Sequence, residues 1–433
     1  MIRETEMNYQ EAMAFLEETK HYGIVPGLSS IKRLCAKLGD PQDRLAIVHI
    51  AGTNGKGAVG KMIASVMTKA GYQTGHFATP DVFCYEEIFQ IDGNLITKEE
   101  LADIFTDVRN ACLSITKEGF PHPTKFEVEA GAAFLWFDRK KVDLAVIEVG
   151  MGGIEDATNL IQKPLVSVLT AIGMDHMQYL GGSLAEIAAK KAGIIKENCS
   201  VVTQLQDEEV LAVLRDCCEK KNSRLTVADG SKARILMGTP TENRFLYENE
   251  EYEIGLGGRF QVDNAVNAIE VLKILQKTYP NVTQRTIVQG LRSVVWPGRF
   301  ERIGSGPAFF LDGAHNPPAA RRLKESLNIY FTGRKIVYIM GVLADKSFDE
   351  VAQIMFEEND IVFTLTSKSP RALPGEELAM VLQKQGIKAT FCKEPEEAII
   401  RAADEAGVDG VVLAFGTLSH LGDLRRAYEK IYG

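Results

Sequence analysis

Short apolar runs recur along the chain, and most are followed by a stretch in which apolar residues return every three or four positions. The runs predict buried strands of a parallel sheet, and the longer period predicts amphipathic helices. Such alternation indicates a doubly wound α/β domain, with ligand groups at the carboxyl ends of its strands. The predicted strands are 45–50, 71–80, 142–149, 165–169 and 200–204, and the predicted helices are 8–19, a segment ending at 39, 97–114, 124–138, 184–192 and 261–275. Residues 81–93, which follow the second strand, are predicted to form a mobile-looking segment.

The pattern changes in the last 200 residues. Residues 234–254 have a weaker alternation that predicts antiparallel strands, and residues 296–301 have the composition of a linker. A second α/β unit follows. We therefore predict two domains: residues 1–297, a P-loop domain with a mostly parallel sheet, and residues 298–433, a smaller Rossmann-like domain. The predicted strands of the second are 308–311, 336–340, 361–364 and 410–414, with helices at 318–327 and at the C-terminus.

The segment between the first predicted strand and the next helix has the layout of a phosphate-binding loop. Its glycines let backbone N–H groups approach phosphate oxygens, the helix N-terminus attracts anions, and Lys56 adds a full charge. The general pattern would have glycine at Ile50 and a hydroxyl residue at Gly57. A glycine-rich turn without a ligand is the alternative. The predicted nucleotide-binding residues are Gly52, Thr53, Asn54, Gly55, Lys56, Gly57 and Ala58.

Composition narrows the class of protein. The formal net charge of −9 disfavours nucleic-acid binding, and no apolar run reaches the ~18 residues of a membrane span. The first six residues lack the apolar core of a signal peptide. The seven cysteines have no metal-binding spacing, which favours reduced thiols. We expect a cytoplasmic monomer that acts on small molecules, without nucleic-acid or membrane partners.

Seven short motifs follow one another along the chain. They are HIAGTNGKG (49–57), IEVGMGG with DATN (147–153 and 156–159), GMDH (173–176), KKAGIIK (190–196), WPGRFE (296–301), DGAHNP (312–317) and GVLADK (341–346). In this order and spacing the chain resembles the folylpolyglutamate synthase/dihydrofolate synthase family of the Mur ligase superfamily. The resemblance runs from about residue 8 to residue 423. It implies ATP-dependent amide ligation, in which a carboxylate becomes an acyl phosphate and glutamate attacks it.

The resemblance also assigns metal ligands. Glu148 and His176 match the family's magnesium ligands, Thr79 stands where serine is usual, and Lys191 matches a lysine carried as a carbamate. The expected catalytic residues are Lys56, Glu148, His176 and Lys191, with ATP, Mg²⁺ and a possible monovalent cation as cofactors. An ion-paired glutamate, a histidine held by the fold and a surface lysine are the alternatives for these positions.

Further residues match ligand contacts of the family. Asn264 matches an adenine contact, and Arg299 and Asp312 match other nucleotide contacts. His315 and Thr417 match positions near the incoming amino acid. Asp156, with Ala157 beside it in the DATN motif, resembles a pterin contact. Asp312 and His315 would otherwise be ordinary turn residues.

Several positions depart from the family's usual residues. Ala58 replaces a serine, Asp81 a histidine, Ile88 an arginine, and Ile154 another arginine. The last three positions are predicted to flank the acyl-substrate pocket, with Asp81 and Ile154 as substrate-binding residues. The first hypothesis is glutamate addition to dihydropteroate or a reduced folate. The others are a ligase for a different acid and amino acid, and a nucleotide-binding relative without catalysis.

Overall fold

The computed structural model describes residues 6–23 and 25–433, so the expectation for the first six residues lies almost wholly outside it. The chain divides into two compact units. The first comprises residues 1–79, 86–231 and 263–291, and the second comprises 80–85, 232–262 and 292–433. The predicted division at residue 298 remains a proposal about domains.

The first unit contains an eight-stranded sheet in the described part of the chain. Its strands lie in the order β4-β3-β2-β5-β1-β6-β7-β8; β2, β5, β1, β6, β7 and β8 are parallel, and β3 and β4 form an antiparallel edge. The strands are β1 Ile47–Ala51, β2 Thr74–Phe77, β3 Phe89–Ile91, β4 Asn94–Leu95, β5 Leu144–Glu148, β6 Val166–Leu169, β7 Ser200–Gln204 and β8 Arg224–Ala228. The accompanying helices are α1 Tyr9–Thr19, α2 Ser29–Lys37, α3 Lys56–Lys69, α4 Lys98–Lys117, α5 Lys125–Lys140, α6 Met177–Leu180, α7 Leu184–Lys191, α8 Glu208–Lys220, α9 Phe260–Leu275 and α10 Gln284–Arg292.

The second unit has two sheets. Strands β9 Arg234–Gly238, β10 Asn243–Tyr247 and β11 Glu250–Ile254 form the predicted antiparallel sheet. The larger sheet has the order β12-β13-β17-β14-β15-β16, parallel except for β12. Its strands are β12 Glu301–Ser305, β13 Ala308–Leu311, β14 Ile336–Met340, β15 Ile361–Thr364, β16 Lys388–Phe391 and β17 Val411–Phe415. The helices are α11 Pro317–Tyr330, α12 Phe348–Met355, α13 Gly375–Lys384, α14 Pro395–Ala406 and α15 Leu421–Tyr432.

Local sequence determines where several helices begin. Thr97 and Thr124 form capping boxes, in which the threonine accepts from the third helical amide and the glutamate there returns to the cap amide. The predicted starts of α4 and α5 are therefore confirmed. The mostly parallel sheet of the first unit and the α/β second unit confirm the predicted fold class.

The prediction of a mobile-looking segment at residues 81–93 is wrong for its second half. Phe89–Ile91 is strand β3, paired with β2, and the Phe89 ring lies 5.7 Å from that of Phe77 and 6.2 Å from that of Phe105. Ile88 is 2% exposed, so it belongs to the core and offers no apolar surface to a substrate. The strand was missed because three residues are too few to show an alternation.

None of the described helices is both long and apolar enough to cross a bilayer. All seven cysteines are unpaired in the structure.

Candidate active site

Close backbone packing shapes the phosphate loop, residues 52–57, between β1 and α3. A Cβ at Gly52 would lie 1.9 Å from Thr170 Oγ1 at the end of β6. Gly55 has φ +91° and caps α3, and a Cβ there would lie 2.5 Å from Asn264 Oδ1 on α9. The loop therefore sits against two segments far away in sequence, and Asn264, the predicted adenine contact, lies beside Gly55.

Two of the loop's amides already have partners. The N–H groups of Thr53 and Asn54 donate to Ala171 O over 2.8 and 3.1 Å. The N–H groups of Thr53 and Asn54, two of the predicted nucleotide-binding residues, are therefore engaged within the protein. The first amides of a helix lack carbonyl partners within it, so the N–H groups of residues 55–58 are the donors of this loop that would be available to a phosphate. Ala58 would then contribute its N–H rather than its side chain.

Lys56 reaches the end of the neighbouring strand β5. Its Nζ lies 3.5 Å from Glu148 Oε1 and 3.4 Å from Thr53 O. Both side chains are shielded, with 15% and 7% of their surfaces exposed, so salt screens this ion pair weakly. A cation and a carboxylate thus stand at the carboxyl ends of adjacent strands, where phosphate and magnesium chemistry would need them.

Lys191 is buried at the end of α7 and faces the same loop. Its Nζ donates to Gly52 O over 2.8 Å. Burial, together with the positive charge of Lys56, lowers the pKa of Lys191 to about 7, although Asp175 and Asp156 oppose the shift. The alternative of a surface lysine is therefore excluded for Lys191. Its neighbour Lys190 is a partly exposed lysine, 3.4 Å from Glu155.

Asp156 is buried and holds its own loop. Its Oδ2 accepts from Met151 N over 3.0 Å, and its Oδ1 accepts from the N–H and the hydroxyl of Thr158 over 2.9 and 2.5 Å. Thr158 Oγ1 also lies 2.8 Å from His49 Nε2 in β1. Burial raises the pKa of Asp156. Its carboxylate thus holds the segment after Glu148 against β1. Ala157, beside it, is buried, and the pterin contact predicted for Asp156 remains a proposal.

The loop after Glu148 packs against the turn that carries Lys191. Ile154 N donates to Lys190 O over 2.9 Å. A Cβ at Gly153 would lie 2.7 Å from Lys190 O, and one at Gly193 would lie 2.3 Å from Ile154 Cγ1. Ile154 itself is 44% exposed, which suits a residue that meets a substrate.

The two remaining predicted metal ligands, His176 and Thr79, lie at the ends of other helices and strands. His176 has φ +51° at the start of α6, with Nε2 4.0 Å from Asp175 Oδ2, and Thr79 is half-buried after β2. Among the described residues, no three His, Cys, Asp or Glu side chains gather as a metal cluster. A magnesium ion here would therefore need other ligands, such as phosphate oxygens, water, Thr79 or a modified Lys191.

The second unit gathers its predicted residues at the carboxyl ends of β13 and β17. Asp312 is buried and accepts from Phe300 N and Ala314 N, each over 2.8 Å. Burial raises its pKa, opposed by the nearby charge of Arg299. The Arg299 guanidinium packs directly against Gly313. A Cβ at Gly313 would lie only 2.0 Å from Arg299 Nη1.

The predicted amino-acid contacts belong to the same edge of that sheet. His315 Nδ1 donates to Gly313 O over 2.8 Å, which orients its ring. Thr417 follows β17, and its hydroxyl lies 3.0 Å from Ser419 Oγ, which is 2.6 Å from Ser367 Oγ. Asp81 is exposed and belongs to the second unit.

Three polar residues beside the predicted ones are not among the sequence predictions. Asp175 lies in the GMDH motif and acts electrostatically on Lys191, so its position in that motif was a usable signal. Gln204 ends β7 and donates to Asn264 Oδ1 over 2.8 Å. Ser419 had no signal beyond its distance of two residues from Thr417.

The contact between Gly55 and Asn264 leads to a first prediction. Gly55→Ala combines an unfavourable backbone angle with a collision against Asn264, so we expect the Michaelis constant for ATP to rise by at least ~10-fold. Gly71→Ala is the matched control, because Gly71 has φ +88° and nothing within 4 Å of a Cβ. Steady-state kinetics at varied ATP would measure both. Equal constants in the two variants would contradict a nucleotide role for this contact.

Comparison with known proteins places this arrangement in a class. The model of the Mur ligase middle domain matches residues 50–272, and that of the Mur ligase glutamate ligase domain matches residues 298–418. The chain is therefore a Mur ligase. It is 30% identical over 426 residues to dihydrofolate synthase/folylpolyglutamate synthase of Bacillus subtilis, covering 96% of this chain and 98% of that protein. The chain belongs to the dihydrofolate synthase/folylpolyglutamate synthase family, which consists of ATP-dependent ligases that add glutamate to folates.

Solved structures agree with this assignment. The crystal structure of folylpolyglutamate synthase from Thermotoga maritima matches with a TM-score of 0.82 and 31% identity, covering 96% of each chain. The Mycobacterium tuberculosis enzyme, in complexes with ADP and AMPPCP, matches with a TM-score of 0.86 and 28% identity, covering 98% of this chain and 99% of that one. The similarity thus spans both units.

Proposed function

We propose that this protein adds L-glutamate to dihydropteroate, to a reduced folate, or to both, in an ATP-dependent reaction through an acyl phosphate. The observation that carries the proposal is the grouping of Lys56, Glu148 and a buried Lys191, whose pKa is lowered to about 7, around one phosphate loop. Bare nucleotide binding would not require the last two. This grouping favours catalysis over a nucleotide-binding relative without activity.

The proposed chemistry is positioning and charge neutralisation. The amides of residues 55–58 and the ammonium of Lys56 hold the terminal phosphates of ATP while the carboxylate of the acid attacks the γ-phosphorus. ADP leaves, and the amine of glutamate then attacks the acyl carbon and displaces phosphate. In the second unit, Arg299 and Asp312 contribute nucleotide contacts and His315 and Thr417 contribute amino-acid contacts.

The donor set suits magnesium. The Glu148 carboxylate, the Thr79 hydroxyl and phosphate oxygens are hard oxygen ligands, and one imidazole from His176 is compatible with them. A carbamate on Lys191 would add oxygen ligands and replace a cation with an anion. Magnesium would neutralise charge on the phosphates when bound. The proposal also includes a monomeric enzyme in the cytoplasm.

Incubation with ATP, glutamate and a panel of acids tests the proposal directly. We expect phosphate release and a product heavier by one glutamyl residue with dihydropteroate or tetrahydrofolate. Phosphate release and mass spectrometry of the products are the measurements. Ligation of another acid, with no turnover of either folate compound, would overturn the folate assignment and favour a ligase for a different substrate.

Asp81 and Ile154 indicate weak handling of an anionic acid, since each replaces a potentially cationic residue of the family. A charge-assisted hydrogen bond contributes ~1.5–3 kcal/mol, equivalent to ~10- to 150-fold in affinity. We therefore expect Ile154→Arg to raise kcat/KM for the folate substrate by about tenfold. Ile400→Arg is the matched control, because Ile400 is 45% exposed and Ile154 44%. An unchanged or lower kcat/KM for Ile154→Arg would contradict a substrate role for residue 154.

A further inference from the structure

After strand β6 the chain turns through residues 170–173, and the phosphate loop is hydrogen-bonded to this turn. Ala171 O accepts from the N–H groups of Thr53 and Asn54 over 2.8 and 3.1 Å. The Thr53 hydroxyl donates to Gly173 O over 3.0 Å and accepts from Gly173 N over 3.1 Å. These bonds join the first half of the loop to the turn, so the position of the turn determines where the loop begins.

Gln206 bonds to other backbone groups of the same turn. Its Nε2 donates to Thr170 O over 2.8 Å and to Thr203 Oγ1 over 3.3 Å, and its Oε1 accepts from Ile172 N over 3.1 Å. A reversed amide would place its NH₂ group against the Ile172 N–H and its oxygen against Thr170 O. Both of these partners are backbone groups, which cannot exchange the roles of donor and acceptor. The hydrogen bonds therefore fix the orientation of the Gln206 amide.

The Gln206 side chain lies where strands β6 and β7 end. The last pair in the register of these two strands is Leu169 with Thr203. An amide side chain has the same donor and acceptor as a peptide group, so Gln206 extends the pairing of the two strands by one step. The extension supports the turn at the carboxyl edge of the sheet, where open α/β sheets bind their ligands.

We infer that Gln206 is a positioning residue for the phosphate loop, on which it acts through the turn. Thr170 O and Ile172 N face Gln206, whereas Ala171 O and both polar backbone groups of Gly173 face the loop. Bonds to the loop alone would let the turn move with it. Bonds on both sides give the loop a fixed support, so that it meets a phosphate without a prior rearrangement. The inference rests on the proposed role of this loop in binding ATP.

Gln206→Leu tests the inference, because leucine has a similar size and removes the amide. We expect KM for ATP to rise about fivefold, with KM for glutamate and kcat at saturating ATP little changed. Thr53→Val should show the same pattern, since it removes the hydroxyl bonds between loop and turn, and Thr53→Ser should keep the wild-type KM because it keeps the hydroxyl. A general loss of stability would not separate the two Michaelis constants.

Gln383→Leu is the matched control. Gln383 also donates from Nε2 to a backbone carbonyl, Ala389 O, over 2.8 Å, but it lies on α13 in the second unit. It should keep the wild-type KM for ATP. An equal KM for ATP in Gln206→Leu and Gln383→Leu would contradict a contribution of Gln206 to ATP binding.

Hydrogen exchange without nucleotide, measured by NMR, separates the two possible failures. In Gln206→Leu the N–H groups of Thr53 and Asn54 should exchange about fivefold faster than in the wild type, because their acceptor is held less firmly. If both exchange at the wild-type rate, Gln206 does not position the loop and the inference is overturned. If they exchange faster while KM for ATP keeps its wild-type value, Gln206 supports the loop, and the proposed binding of ATP by that loop is overturned instead.

Discussion

Lys56→Ala is expected to lower kcat/KM for ligation by ~10²–10³-fold, the usual cost of removing one preorganised charged contact from a transition state. Lys56 is the cation of the phosphate loop, and only 15% of its side chain is exposed. Its removal also leaves the nearly buried carboxylate of Glu148 without its 3.5 Å partner. The γ-phosphate would then approach an unneutralised negative charge.

The measurement is phosphate release at varied ATP, with circular dichroism to verify that the variant is folded. Lys69→Ala is the matched control, since Lys69 is exposed in the last turn of the same helix, α3. It should keep wild-type activity. Turnover of Lys56→Ala within a few-fold of wild type would show that the loop does not hold the transferred phosphate.

Lys191→Ala is expected to lower ligation by roughly 100-fold, the scale seen when a group that supports a metal site is lost. The reason is the carbamate proposed on this side chain. A neutral amine combines with CO₂ and releases a proton, and the pKa of about 7 makes neutral amine abundant at physiological pH. A carbamate nitrogen keeps one N–H, so the bond to Gly52 O can persist.

The sign of the pH dependence follows from this pKa. Protonation below pH 7 blocks carbamate formation, so activity at constant CO₂ should rise as pH increases through about 7. Carbon-13 NMR with labelled CO₂ should show a carbamate signal in the wild type and in the matched control Lys190→Ala, and none in Lys191→Ala. Short carboxylic acids should partly restore Lys191→Ala. Full activity of the wild type in CO₂-free buffer, without a carbamate signal, would exclude the modification.

Local sequence patterns predicted the helices and strands. The hydrogen bonds within the site depend instead on packing between segments that are distant in sequence. Thr97 and Thr124 were readable as helix starts because a capping box involves four consecutive residues. The hydrogen bonds from the N–H groups of Thr53 and Asn54 to Ala171 O could not be predicted from the sequence, because they join residues more than 100 positions apart. That pairing determines which amides remain for phosphate.

The burial of individual side chains also could not be predicted from the sequence. Lys191 lies in a motif beside another lysine, and nothing local distinguishes the buried one from the exposed one. The same holds for Ile88, which stands where the family usually has arginine and was expected in a substrate loop, yet belongs to the core at 2% exposure. Both outcomes depend on which face of an element meets the sheet.

The seating of the substrate loop on the turn of Lys191 has an evolutionary consequence. Ile154 N is bonded to Lys190 O, and Gly153 and Gly193 leave no room between the two segments. A lineage that changes the backbone or the length of this loop to accept a new acid therefore risks shifting the lysine next to the phosphate loop. Side chains that grow outward from the Ile154 Cβ avoid this conflict, whereas insertions in the loop do not. Substrate range in such a chain would evolve mainly by replacing side chains, at a constant loop length.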